Sequence, residues 1–132
     1  MIIPAIIQLL LAESTIRTLV GQSIYATQLP TSSPMPAIVL HTVGGQSKPT
    51  LNGPGPQKVR LQIDCFGASY FSADQVRDAV IAFLNLKAAQ LTNGIWLQSA
   101  QLIQPIDLPY DWQTLQFRCG CEFYLFFNFP AS

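Results

Sequence analysis

The chain has 132 residues, of which 49% are hydrophobic and only 11% charged, and its seven basic residues balance its seven acidic ones. This length predicts a single domain, residues 1–132, that buries a core without disulfides or metal ions. The charged share lies far below the usual quarter, which predicts a surface partly covered by other chains, and the zero net charge disfavours a protein that grips nucleic acid by its phosphates.

The N-terminal residues 4–20 predict one amphipathic helix, which Gly21 is placed to end. Its apolar residues at helical spacing are Ile3, Ile6, Ile7, Leu10 and Leu11. The apolar run stops at Glu13, short of the roughly 20 residues that a membrane-spanning helix needs, and no basic residue precedes it as in a secretory signal. We therefore expect a soluble protein in the cytoplasm, without a membrane partner.

A short extended segment at 23–26 precedes two predicted strands, 37–43 and 58–66. The second strand alternates apolar and polar residues, as a strand with one wet face does. The two strands predict a hairpin whose tip is the hairpin arm, residues 44–57 (GGQSKPTLNGPGPQ). Loops longer than about 12 to 15 residues are uncommon in compact domains and are usually functional or disordered.

The string FSADQV predicts the start of a second helix. Ser72 is the expected N-cap, Gln75 completes a capping box, and Phe71 with Val76 forms the expected hydrophobic staple. This helix is expected to continue to about Lys87. A strand at 95–103 follows, and then a polar loop through Pro105, Pro109 and Asp111.

Residues 115–129 alternate between apolar and mostly polar side chains for their whole length. A strand of this length would span roughly 50 Å, whereas a domain of this size is only about 36 Å across. The pattern therefore predicts a sharp bend near Gly120 or an end that leaves the domain. Aromatic residues on a projecting end are a candidate subunit interface. The candidates are Tyr124, Phe126, Phe127 and Phe129.

Together these elements predict an α+β fold. We expect an antiparallel or mixed sheet of about four strands, with two helices packed on one face and the long hairpin arm projecting from it.

The chain offers little that indicates chemistry. His41 stands beside no obvious acid in the sequence, and Asp64 is expected to be a solvated or interface charge. The three cysteines, Cys65, Cys119 and Cys121, are expected to be small buried hydrophobes rather than metal ligands. We find no catalytic motif or cofactor fingerprint, which predicts a protein that is not an enzyme and binds neither cofactor nor metal.

The segment VRLQIDCFGASYFSADQVRDAVIAFLNL, residues 59–86, resembles the tail-completion, or tail-terminator, family of long-tailed bacteriophages. An alternating strand ends in an acidic residue and an aromatic, followed by a Ser-Tyr pair and an amphipathic helix. The segments GQSIYATQLP and PAIVLHTVGG agree with the same family in order. The resemblance covers most of the chain, although from Thr92 onward it is a match of architecture alone.

The resemblance implies a structural virion protein that forms a homohexameric ring in the neck, at the head-proximal end of the tail. Such a ring terminates tail tube assembly and joins the tail to the head connector. The implied partners are other copies of the chain, the tail tube protein and the head-tail connector proteins. DNA would pass through the channel without specific binding. The implied location is the virion, after assembly in the host cytoplasm.

In this context the hairpin arm is expected to order against a neighbouring subunit or the tail tube. Strand edges and extended loops can supply such contacts. The expected assembly residues are Gln46, Ser47, Lys48, Pro49, Thr50, Leu51, Asn52 and Gly53. Two alternatives remain open: a connector or stopper ring on the head side of the neck, and a small-molecule or metal-binding α+β domain built around His41 and the cysteines.

Overall fold

The computed structural model describes residues 2–43, 55–110, 112 and 116–130. Its N-terminal segment contains two helices, α1 (Ile2–Leu11) and α2 (Ser14–Val20), which meet at 91°. The prediction of one helix is therefore wrong. The break is stabilised because the Arg17 side chain donates a hydrogen bond of 2.8 Å to the carbonyl oxygen of Leu11.

Both helices turn an apolar stripe to the same core, in which Ile6, Leu10, Ile16 and Val20 are buried. Within the described ranges no single helix is long and apolar enough to span a membrane, and only α1 and α2 taken together across their bend pass that test.

Six strands form one sheet in the described part of the chain, in the order β1-β2-β3-β6-β5-β4. They are β1 (Ile24–Ala26), β2 (Ala37–Thr42), β3 (Gly55–Gly67), β4 (Ala89–Gln90), β5 (Trp96–Asp107) and β6 (Phe117–Phe129). The sheet is mixed, as predicted, because β1 and β2 are parallel whereas the other neighbours are antiparallel. The sequence predicted about four strands because β1 and β4, with three and two residues, are too short to show alternation.

The predicted hairpin is confirmed, since β2 and β3 pair antiparallel from Ala37 opposite Phe66 to Thr42 opposite Leu61. However, β3 begins at Gly55, so residues 55–57 belong to the strand and not to a loop. The rest of the predicted hairpin arm, residues 44–54, lies outside the described residues, and from here on the name hairpin arm refers to residues 44–54 alone.

The long C-terminal strand stays within the sheet. Along its 13 residues β6 pairs with β3, from Phe117 opposite Gly67 to Phe129 opposite Gly55. On its other side β6 pairs with β5. The predicted departure of one end is wrong for the described residues, because β3 is equally long. Because β3 and β6 pair along their whole length, β6 needs no projecting end.

Helix α3 (Tyr70–Leu84) begins earlier than predicted. Its N-cap is Ser69, whose hydroxyl oxygen accepts a hydrogen bond of 3.1 Å from the Ser72 amide. The capping box at Ser72 is therefore wrong, and Phe71 is exposed rather than acting as a staple. A Cβ atom at Gly67 would lie 2.7 Å from the Ala73 amide nitrogen, so glycine permits the helix to start tightly against β3.

Helices α1, α2 and α3 all pack against one face of the sheet and share one core with it. The sequence predicted two helices on this face. The buried β3 and β6 side chains of this core are Leu61, Ile63, Cys65, Cys119, Cys121, Phe123, Leu125 and Phe127. The opposite face carries a smaller apolar cluster around Ala37, Val39 and Phe66. Between its ends that face is lined by polar side chains.

Along the outer side of β5, other groups of the chain occupy several of the backbone hydrogen-bonding positions. The carbonyl oxygen of Ala100, on β5, accepts a hydrogen bond from the Leu86 amide, and the Leu102 amide donates to the Asn85 side chain. Further along β5, Arg77 donates to the carbonyl oxygen of Ile106 at 3.0 Å. Strand β5 extends through Pro105 to Asp107, so the loop predicted at Pro105 is wrong. Strands β1 and β4 are also very short, but residues 55–59 of β3 lie beyond the paired end of β2. The expectation that strand edges serve assembly stays a prediction.

Candidate assembly interface

The face of the sheet that the helices leave open carries a band of polar side chains, which we call the polar face. It consists of His41, Arg60, Gln62, Asp64, Gln104 and Glu122. Those on β2, β3 and β6 alternate with core residues, so the alternation that buries one face places them on the other. Gln104 lies on β5 opposite Glu122, directly after a register shift between Leu102 and Gln104.

Glu122 is the centre of the polar face. One of its carboxylate oxygens lies 2.7 Å from Arg60 Nη2 and 3.1 Å from Gln104 Nε2. The hydrogen bond from Arg60 lowers the pKa of Glu122 against the opposing effect of burial, and Gln104 adds to the shift. The same bond to Glu122 raises the pKa of Arg60. Glu122 is therefore held as a carboxylate although only 5% of its surface is exposed.

Asp64 and His41 form a second polar group beside Glu122. Asp64 accepts a hydrogen bond of 2.8 Å from Gln62, and its other oxygen lies 3.5 Å from His41 Nε2. Asp64 is buried, so it is not a solvated charge, and the alternative expectation of an interface charge stays a prediction. His41 does have an acidic neighbour, but that neighbour comes from the adjacent strand, where the linear sequence does not place it.

Most predicted interface aromatics lie at the end of the sheet from which the hairpin arm departs. Gly55, the first described residue after the arm, pairs with Phe129. Tyr124 and Phe126 are partly buried, and Lys58 Nζ lies 4.3 Å and 5.8 Å from the centroids of their rings. Phe127 is only 2% exposed within the core, so it has almost no surface to offer a partner and we remove it from the candidate interface.

The opposite end of the sheet carries a second group of aromatic residues, which we call the aromatic end. It contains Tyr70, Phe71, Tyr110, Trp112 and Phe117. The ring of Tyr110 packs edge-on against Trp112 and Phe117, with centroids 4.7 and 4.9 Å away. The linear sequence does not join Tyr110 and Trp112 to the start of α3. Their grouping depends on the β3–α3 and β5–β6 connections lying at the same end of the sheet, and it has no local sequence signal.

A hydrogen-bonded group joins the aromatic end to α3. The Tyr70 hydroxyl lies 3.2 Å from a carboxylate oxygen of Asp107, and Arg77 reaches both Asp107 at 3.3 Å and Asp74 at 2.6 Å. Burial, together with the adjacent Asp107, raises the pKa of Tyr70. Burial opposes the charge of Arg77, but the hydrogen bond to Asp74 contributes to a net rise in its pKa. This group anchors the β5 terminus to α3.

The cysteines and the histidine lie on opposite faces of the sheet. Cys65, Cys119 and Cys121 are free thiols buried among the core residues, whereas His41 belongs to the polar face. Burial raises the pKa of Cys119 to about 11 and that of Cys121 to about 12. No group of three potential metal ligands occurs among the described residues. His41 and the three cysteines, which the sequence suggested as the centre of a metal-binding domain, therefore lie on opposite sides of the sheet.

A comparison with known protein families decides the family. The model described as "Tail completion protein gp17" matches residues 4–118. The chain belongs to the tail completion protein gp17 family. The match spans the N-terminal helices, the hairpin, α3 and β5, and it confirms the resemblance found in residues 59–86. The tail completion protein is accordingly a structural protein of phage tails.

A solved structure shares the fold of the tail completion protein. It is a chain of the "Virion of native gene transfer agent (GTA) particle", with a TM-score of 0.66 and 18% sequence identity. The alignment covers 95% of this chain and 92% of that chain. At this identity the likeness concerns the fold alone. No curated protein sequence matches the chain.

Proposed function

We propose that this tail completion protein forms a homohexameric ring in the neck, at the head-proximal end of the tail. The ring ends polymerisation of the tail tube and joins the tail to the head connector. Membership of the tail completion family over residues 4–118 carries this proposal. The low share of charged residues, 11%, supports a subunit whose surface is covered by other chains.

The protein acts in this proposal as a structural component of the virion and not as an enzyme. Its partners are other copies of the chain, the tail tube protein and the connector proteins, and DNA passes through the ring without specific binding. Assembly takes place in the host cytoplasm. The neutral net charge of the chain supports a channel that does not grip DNA phosphates.

Two parts of the chain are proposed to make the contacts. The hairpin arm, with residues 46–53, orders against a neighbouring subunit or the tail tube. Tyr124, Phe126 and Phe129 contribute apolar surface beside the root of the arm. Because Gly55 pairs with Phe129, these aromatics lie beside the point at which the arm joins β3.

The first test is the mass of the purified protein by light scattering over a concentration series, with and without isolated tail tubes. We expect a species of about six copies with a central hole in negative-stain images, formed freely or at tube ends. Binding of the ring to head connectors but not to tubes would instead favour a stopper on the head side. A monomer that binds neither tubes nor connectors would overturn the proposal.

The second test removes residues 46–53. The deletion should leave the far-ultraviolet circular dichroism and the unfolding midpoint close to those of the intact chain, while ring formation fails. A matched variant replaces the same eight positions by glycine and serine and therefore keeps the length of the loop. Loss of ring formation in both variants assigns the contact to the side chains of the arm. Rings formed by the deletion variant would contradict the role of the arm.

A further inference from the structure

The aromatic end exposes an unusual amount of apolar surface. Six large hydrophobic side chains are exposed among the described residues, and four of them lie at this end: Tyr70, Phe71, Trp112 and Phe117. Trp112 is 78% exposed and Phe71 74%. Single exposed apolar residues are ordinary, whereas a cluster of them marks an interaction site.

The hairpin arm of the same chain cannot reach this surface. The arm enters β3 at Gly55, and the aromatic end begins where β3 finishes at Gly67, which pairs with Phe117. The 13 residues of β3 separate the two ends by about 40 Å. Residues 44–54 are fixed at both of their ends, so a limb of five or six residues reaches at most about 20 Å. Contact between arm and aromatic end therefore requires two chains.

The composition of the arm suits an aromatic receptor. Residues 44–54 include Pro49, Pro54 and Leu51, and their one charged residue is Lys48. Extended proline-containing segments bind aromatic surfaces at a low cost in conformational entropy. A lysine adds a favourable interaction with the face of an aromatic ring.

The aromatic end also offers a carboxylate for that lysine. The Asp107 side chain is 80% exposed, and its one hydrogen-bonded oxygen faces Tyr70 and Arg77. Arg77 is paired in turn with Asp74, which offsets the positive charge that would otherwise repel Lys48. The second basic residue nearby, Arg118, donates to the carbonyl oxygen of Pro109.

We infer that the aromatic end is the docking site for residues 44–54 of a second copy of this chain. The inference rests on the proposed ring and specifies one of its contacts. Arm and receptor lie at opposite ends of the sheet, so the contact is head-to-tail and uses two different patches on each subunit. Contacts of this kind generate closed rings when the rotation between subunits closes.

The experiment is cross-linking between full-length variants with a short bis-maleimide, because the native thiols are buried. Lys48→Cys is mixed with Phe71→Cys, both in concentrated free protein and in the ring assembled on tail tubes. The control partner for Lys48→Cys is Ala82→Cys, an exposed position on the same helix, about 16 Å from Phe71 along its axis. We expect at least about tenfold more cross-linked dimer with Phe71→Cys.

A variant with both Lys48→Cys and Phe71→Cys in one chain tests whether the arm can reach the aromatic end of its own chain. We expect cross-links between chains, which give dimers and larger species, and no cross-link within one chain. Adding Trp112→Ala should remove the preference for Phe71→Cys. Equal cross-linking to both partners, an internal link or insensitivity to Trp112→Ala would each overturn the inference. Rings that form without the cross-link refute this contact alone, whereas a specific cross-link in a protein that never joins tails refutes the proposed function alone.

Discussion

The two faces of the β3 and β6 pair are made from alternate residues of the same strands, but they exclude water in different ways. On one face, Phe123 and its neighbours are covered by helices. On the other, Glu122 is equally inaccessible without a helix above it, because Arg60 and Gln104 bond to it from the flanking strands. Close packing of apolar side chains stabilises the first face. Hydrogen bonds between specific polar side chains stabilise the second. A partner can therefore approach the polar face only by preserving or replacing those pairs.

Among the substitutions that test the two faces, the largest loss of stability is expected at Phe123. Phe123→Ala should lower the free energy of unfolding by about 3 to 5 kcal/mol, since it leaves a large cavity in the core. The matched control is Tyr124→Ala, one residue along β6 on the polar face, which should cost clearly less because that ring is partly exposed. Urea unfolding followed by circular dichroism measures both. Equal losses would mean that the two faces do not differ as described.

A smaller loss of stability is expected from substitution of Gly120, the position in β6 at which the polar face has no side chain. A Cβ atom at Gly120 would lie 2.7 Å from the carbonyl oxygen of Ile63 and 3.2 Å from the Asp64 carboxylate. Gly120→Ala should therefore destabilise the protein by about 1 to 3 kcal/mol through displacement of β3. Thermal unfolding monitors the change. An unchanged midpoint would show that the strands can separate at no cost.

The pairing of Glu122 should appear in the pH dependence of stability. The pKa of Glu122 is lowered in the folded protein from its ordinary value of 4.5, so the stabilisation is present above that pH and is lost as the pH falls below it. Glu122→Gln should be less stable than the natural chain at pH 7 by about 1 kcal/mol, and the difference should shrink in acid.

Asp78→Asn, at an exposed position on α3, is the control for this experiment and should leave the pH profile unaltered. Urea midpoints between pH 3 and pH 7 measure the difference for each variant. A gap between Glu122→Gln and the natural chain that stays constant over this range would argue against the pairing with Arg60.

The smallest effect concerns the thiols of the covered face. Burial raises the pKa of Cys119 to about 11 and of Cys121 to about 12 and also raises that of Cys65. At pH 8 a colorimetric thiol reagent should therefore detect almost no reactive thiol in the native protein and three after unfolding in denaturant. Rapid reaction of native thiols would place these cysteines on an accessible surface.

Much of the fold follows from local sequence patterns. Alternation in β3 and β6 predicted both strands and their apolar faces, because a period of two is a direct consequence of strand geometry. The same reasoning predicted the hairpin between β2 and β3. It did not predict β4, and it gave β1 only as a short extended segment at 23–26, because strands of two and three residues are too short for a period to be visible.

Where two local signals competed, tertiary contacts decided between them. Ser69 and Ser72 are both able N-caps, and the close approach of Gly67 to Ala73 favours the earlier start of α3. The apolar spacing of residues 4–20 suits one helix or two, and the bend between α1 and α2 lets both stripes reach the core. The sequence contains both solutions and does not choose between them.

The candidate interface was less accessible to prediction. The ion pair of the polar face joins Arg60 to Glu122, 62 residues apart, and the aromatic end is assembled from two connections, β3–α3 and β5–β6. Neither has a signature at fixed spacing. The interface residues Tyr124, Phe126 and Phe129 were predicted from a strand judged too long for the domain, although the strand in fact stays within the sheet.

In the described part of the chain, the sheet has few edges at which another strand could add, apart from residues 55–59 of β3, which lie beyond the end of β2. Its outer strands are two and three residues long, and the exposed side of β5 is engaged by Asn85, Leu86 and Arg77. Open edges allow sheets to grow from chain to chain into fibres. A subunit whose proposed task is to end one polymer thus carries a fold that discourages a second, uncontrolled polymer of its own. In the proposed ring, subunits associate through contacts between the two ends of the sheet, and the rotation between neighbours limits the number of copies.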